Sequence, residues 1–156
     1  MKLIDFLVTE TLNAVDNLFI DAKKVPADKL EWAPLELGRS VLDQLQECAQ
    51  APLWGLGLLE SRKFVWNDEI EAQFAARKAT LTTFEACETA CRANTARFVE
   101  AMKAIKEEEF TQIIQLPFGK SHDWTLAQVL NLHTWNCNYH QGQINYIQTL
   151  YGDKGH

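Results

Sequence analysis

The sequence predicts an all-α fold, an antiparallel bundle of about four helices, and three observations carry that prediction. Apolar residues recur at intervals of three and four through four long stretches. β-like patterning is confined to one short excursion before the last helix, and no internal repeat or low-complexity tract suggests another architecture. Long amphipathic helices that are not repeats bury their stripes most simply against one another. With 156 residues and 47% hydrophobic content the chain has enough apolar side chains for a real core, so one domain spanning 1–156 is expected.

The first helix follows from Ile4, Leu7, Ala14, Val15, Leu18 and Ala22 on one face over 3–22. It stops near Lys23-Lys24-Val25-Pro26, because proline disfavours helical geometry in the residue before it. Ser40, with Asp43 three residues on, caps a second stripe of Val41, Leu45, Cys48, Pro52 and Leu56. Pro52 lacks the donor for one helical hydrogen bond, so a kink or break is expected between Glu47 and Pro52. Residues 62–80 keep no period, and Phe64, Val65, Trp66, Ile70 and Phe74 suggest a loop or short helix lying on the body. Thr82 and Glu85 open the third helix, whose stripe is Phe84, Cys87, Cys91, Phe98, Met102 and Ile105. An extended run, Phe110 to Leu116, closes in a Pro117–Lys120 turn. Thr125 and Gln128 form a capping box for a last helix carrying Leu126, Leu130, His133, Cys137, His140, Ile144, Ile147 and Tyr151.

The formal net charge of -6 repels a phosphate backbone, and no compact Lys/Arg cluster offsets it, so nucleic acid is not expected as a partner. Asp5 and Glu10 interrupt the N-terminus before a secretion signal could form, and no run of about 18 apolar residues could span a bilayer. A soluble cytoplasmic protein is the expectation. Cys48, Cys87, Cys91 and Cys137 all sit in apolar helical patterns and read as reduced, buried small hydrophobes; the Cys87/Cys91 pair alone is a weak zinc signal.

The sharp chemical signal lies in the last helix, where His133, Cys137 and His140 interrupt an apolar stripe. A buried imidazole or thiol without a partner costs about 1–3 kcal/mol, so each must be satisfied. Asp43, Gln44 and Glu47 on the second helix are the natural partners. Two readings stay open: a divalent ion on residues such as Glu47, Cys137 and His140, or a hydrogen-bonded polar cluster in a helical core. Ser121-His122-Asp123 has the residue types of a hydrolytic triad, but neighbours in a turn cannot take up that geometry, and capping of the last helix explains them. The five tryptophans, Trp32, Trp54, Trp66, Trp124 and Trp135, suit a core or a ligand pocket.

Tyr139-His140-Gln141-Gly142-Gln143-Ile144 resembles the Tyr-His-x-Gly-Gln-Ile signature that closes members of the DinB-like, or YfiT-like, superfamily. Arg39-Ser40-Val41, Leu116-Pro117-Phe118-Gly119 and Thr125-Leu126 match further landmarks in order, so the resemblance covers almost the whole chain. It implies a four-helix bundle, commonly a homodimer, named for damage induction and so linked to stress rather than to a chemistry. It also implies a divalent metal, zinc or nickel, held by three histidines. Aligned on Gly142-Gln143, those positions hold His140 and Asn136, and counting from Ser40 gives Glu47; His133 and Cys137 are alternative ligands. Relatives with known chemistry use a low-molecular-weight thiol such as mycothiol or bacillithiol, which implies a thiol-dependent transferase. The competing expectation is a non-catalytic homodimeric bundle that binds a small molecule or a partner in the same cavity.

Overall fold

A computed structural model describes residues 2–119 and 122–153. Six α-helices and one hairpin follow in order: α1 Leu3–Ala22, α2 Val41–Ser61, α3 Asp68–Lys78, α4 Phe84–Lys103, β1 Ile113–Gln115, β2 Asp123–Thr125, α5 Leu126–Leu130 and α6 Leu132–Leu150. Lys120, at the end of the expected turn, and Ser121 lie outside the described residues.

The four long helices form the bundle. α1 packs on α4 and α6, and α2 packs on the same two. Thr11 meets Thr134 and Asp21 meets Asn145, so α1 and α6 run parallel. Cys48 meets Cys91 and Gly55 faces Phe98, so α2 and α4 are parallel as well. Gln44 and Glu47 meet His140 and Asn136 in descending order, which makes α2 and α6 antiparallel. Two helices therefore point each way. Parallel neighbours such as α2 and α4 need a connection that travels back along the bundle, and residues 62–83 provide it. α3 lies in that return and buries none of its residues, which is why the stretch shows no apolar period.

Capping chemistry sets the ends. Ser40 Oγ accepts from the Asp43 amide at 3.2 Å, and Thr125 and Gln128 make the expected box. At α4 the cap is Thr83 rather than Thr82. Leu81 is buried and its carbonyl accepts from Gln46 Nε2 at 2.8 Å, which holds the chain on α2 and delays the helix by one residue. The expected single last helix divides at Asn131, with φ −85 and ψ −6. The hairpin is the reason. The Leu126 and Ala127 amides donate back to Gln112 and Phe110, tying α5 to the strands while α6 follows the bundle axis.

Of the kink or break expected near Pro52, the break does not occur: α2 continues through the proline. Pro52 leaves the Cys48 carbonyl without its helical donor, and the Cys91 thiol supplies one at 3.4 Å. Cys91→Ala is expected to cost about 1–2 kcal/mol. In a Pro52→Ala background, where residue 52 regains an N–H, the cost should drop by about 1 kcal/mol. A urea double-mutant cycle measures this, and equal costs in both backgrounds would remove the explanation. All four cysteines are buried and free. Among the described residues no helix is long and apolar enough to cross a membrane.

Candidate functional site

The antiparallel contact of α2 and α6 builds the site. Residues three apart on α2 and four apart on α6 share a helix face, so Gln44 and Glu47 meet Asn136 and His140. His140 is only 1% exposed. Its Nε2 lies 3.0 Å from Glu47 Oε1, and its Nδ1 lies 3.1 Å from Gln44 Oε1 and 3.0 Å from Gln143 Oε1. Asn136 Nδ2 donates to the same Glu47 Oε1 at 2.8 Å. Glu47 Oε2 accepts from Arg39 Nη1 at 2.6 Å, Arg39 Nε donates to Asp43 at 2.5 Å, and Lys78 closes on Asp43 from α3. The result is a chain of alternating charge from α3 to the core. The His140 hydrogen bond above all, with help from Arg39 and Asn136 and against the opposing effect of burial, holds the Glu47 carboxyl down to about 2.

His133 and Cys137, the alternative ligands, turn to other partners. His133 Nε2 hydrogen-bonds with Thr95 Oγ1 at 3.0 Å, and its Nδ1 lies 3.7 Å from Cys137 Sγ. Burial pushes the His133 imidazole down to about 4, so it is neutral at pH 7. The Cys137 thiol is pushed well up, by its hydrogen bond with Cys48 first and also by burial. Neutral groups in the core, these two are not an activated pair. Of the triad residue types, Ser121 is outside the described residues, and Asp123 belongs to β2.

Glu47 and Asn136 open onto a cavity of about 680 Å³ between α2, α3 and the start of α6. Trp54, Phe64, Trp66, Phe74, Phe98 and Trp135 form much of its wall. Glu47, Asn136 and His140 are legible in the sequence, whereas Arg39 stands out there only as a landmark, and Phe64 and Phe74 fall in the stretch 62–80 that has no period. Arg39, Asp43 and Glu47 recur at intervals of four, a helical spacing that links the guanidinium to both carboxylates in the sequence itself.

A divalent ion is the group the resemblance implies, and the donor set can be tested against it. Glu47 is already neutralised by a guanidinium at 2.6 Å. Asn136 turns its donor nitrogen to that carboxylate and leaves Oδ1 buried without a partner. Among the described residues no three His, Cys, Asp or Glu side chains are grouped to hold an ion. Binding zinc or nickel on these residues would require the Asn136 amide to turn over and the hydrogen bonds of Asn136 and His140 to Glu47 Oε1 to be given up. As arranged, the residues do not fit the ion.

Solved structures share this architecture. YfiT from Bacillus subtilis, described as "a probable metal-dependent hydrolase with an unusual four-helix bundle topology", superposes with a TM-score of 0.75 at 12% identity, over 96% of this chain and 87% of its own. A DinB-like protein of the same organism, YjoA, gives 0.64 at 15% identity over 95% and 93%. The chain has the DinB/YfiT-like fold. The sequence matches no family model and no curated protein. The colibactin self-resistance protein ClbS, with a TM-score of 0.69 at 12% identity over 94% of this chain and 95% of its own, was solved in complex with a dsDNA. That corrects the exclusion of nucleic acid drawn from net charge. A summed charge of -6 averages the whole surface, while binding answers to the local patch, and the DinB/YfiT-like fold accommodates DNA in ClbS.

Proposed function

We propose that the chain is a small-molecule-binding protein that uses its DinB/YfiT-like fold without a resident ion, with Glu47, Asn136 and His140 as a hydrogen-bonded polar anchor. One observation carries the reading: the aromatic-walled cavity of about 680 Å³ ends on the Glu47–Asn136–Arg39 cluster. Concave apolar space with a few convergent polar groups is the usual form of a ligand site. The buried Asn136 Oδ1 is an acceptor left over for a ligand donor.

The neutral fluorophore N-phenyl-1-naphthylamine provides the test. Its emission should rise and shift to the blue on binding one equivalent, and Ala51→Phe, which fills the cavity from α2, should weaken binding about tenfold or more. No enhancement, or an unchanged affinity in Ala51→Phe, would overturn the reading. Elemental analysis of tag-free protein should return no stoichiometric zinc or nickel. One equivalent of either, lost in both Glu47→Gln and His140→Gln, would instead support the finer reading that the resemblance implies, a thiol-dependent transferase with the ion on Glu47, Asn136 and His140.

A further inference from the structure

From the charges and rings that line the cavity, we infer that its ligand is an organic cation, an apolar or aromatic body carrying a quaternary or protonated amine. The inference rests on the small-molecule reading above and names the class of molecule.

Two cations line the cavity, Arg39 and Lys78, and both are consumed. Arg39 bridges Asp43 and Glu47, and Lys78 closes on Asp43. An anionic ligand would have to break these pairs to gain either cation. The third carboxylate, Glu71, also lines the cavity and makes no ion pair or side-chain hydrogen bond among the described residues. The unmatched charge facing the space is therefore negative.

Aromatic rings make the same choice. The face of an indole or phenyl ring carries negative electrostatic potential, and it attracts an ammonium group at short range. Trp66 and Phe74 pack with centroids 5.3 Å apart, and Trp54 and Phe64 with centroids 5.9 Å apart, all four on the cavity wall. The Arg77 guanidinium, which does not line the cavity, stands 5.3 Å from the Phe74 centroid and competes for that ring, so Trp54, Phe64 and Trp66 are the rings left to a ligand cation. An ammonium group is poorly matched to a purely apolar wall, but rings beside an unmatched carboxylate offset the loss of its hydration.

Three probes of similar size separate the alternatives on the full chain: benzyltrimethylammonium, its uncharged isostere neopentylbenzene, and benzenesulfonate. Titrations followed by tryptophan fluorescence at fixed ionic strength should give the cation an affinity about tenfold above either of the others. Glu71→Gln should remove most of that advantage and leave neopentylbenzene binding unchanged; residue 71 is exposed, so the fold is not at risk. Trp66→Leu should weaken the cation more than the neutral probe. If neopentylbenzene or benzenesulfonate binds as tightly as the cation, or if Glu71→Gln changes nothing, the cation inference is wrong while the cavity reading stands. If none of the three binds but N-phenyl-1-naphthylamine does, the inference again fails alone; if that fluorophore fails too, both fall.

Discussion

His140→Ala is expected to destabilise the protein by about 2–4 kcal/mol, because it removes a buried ring and strands the groups around it. Gln44 and His140 are each 1% exposed. Without the ring, the Gln44 Oε1 acceptor keeps no donor in a place that water reaches poorly. Glu47 keeps Arg39 and Asn136, so the loss on that side is smaller. The variant should also change the response to acid. A carboxyl held at about 2 when folded, against an ordinary 4.5, adds stability that is fully present above pH 4.5 and is lost as pH falls toward 2. Removing His140 takes away the largest cause of that depression, so the acid-limb slope of stability against pH should flatten between those values. It should not vanish. Asp21 is also held at about 2, against the opposing effect of burial, by Gln141, Lys24 and Asn145, and that part is untouched. Urea melts from pH 2 to 7 measure both effects. A variant with wild-type stability at pH 7, or an unchanged acid slope, would show that the Glu47–His140 contact contributes nothing in solution.

How far the sequence could be read follows the same local logic. The long helices were legible because each buries one face, and a stripe at intervals of three and four records that burial directly. Glu47 and His140 were legible as a pair because a bundle this small leaves a polar residue on an inner face few places to go. The continuity of α2 was not, since the donor that replaces the missing proline N–H comes from Cys91, forty-three positions from the Cys48 carbonyl it serves. The division of the last helix escaped for a related reason: its apolar intervals run straight through Asn131, and the tie that turns α5 aside runs from the Leu126 and Ala127 amides of α5 to the Gln112 and Phe110 carbonyls just before the hairpin. The cavity wall was legible only in its tryptophans, Trp54, Trp66 and Trp135, which suit a core as well as a pocket. Phe64, Trp66 and Phe74 lie in the return connection, where side chains face a groove rather than the bundle axis and no period marks them.

Phe98→Ala should cost about 3–5 kcal/mol, more than the loss of the His140 ring, and should reverse the sign of a second substitution. Phe98 is 1% exposed, and its ring stands edge-on to His133 at 6.3 Å. A Cβ placed on Gly55 would lie 2.7 Å from Phe98 Cε2, closer than side chains pack. In the wild type, Gly55→Ala therefore gains about 1 kcal/mol of helix propensity but costs about 1–3 kcal/mol in displaced ring, a net loss. Without the ring the clash is gone, so the same substitution should stabilise Phe98→Ala by about 1 kcal/mol. Gly57 supplies the control. A Cβ there meets nothing within 4 Å, so Gly57→Ala should stabilise both backgrounds by about the same 1 kcal/mol. Both Gly55 and Phe98 line the cavity, so the pair also separates stability from binding. Phe98→Ala enlarges the space and should retain N-phenyl-1-naphthylamine, whereas Ala51→Phe should lose it with much less loss of stability. If Gly55→Ala has one sign in both backgrounds, glycine is not there to admit the ring, and the wall of the cavity is not set by the approach of α2 to Phe98.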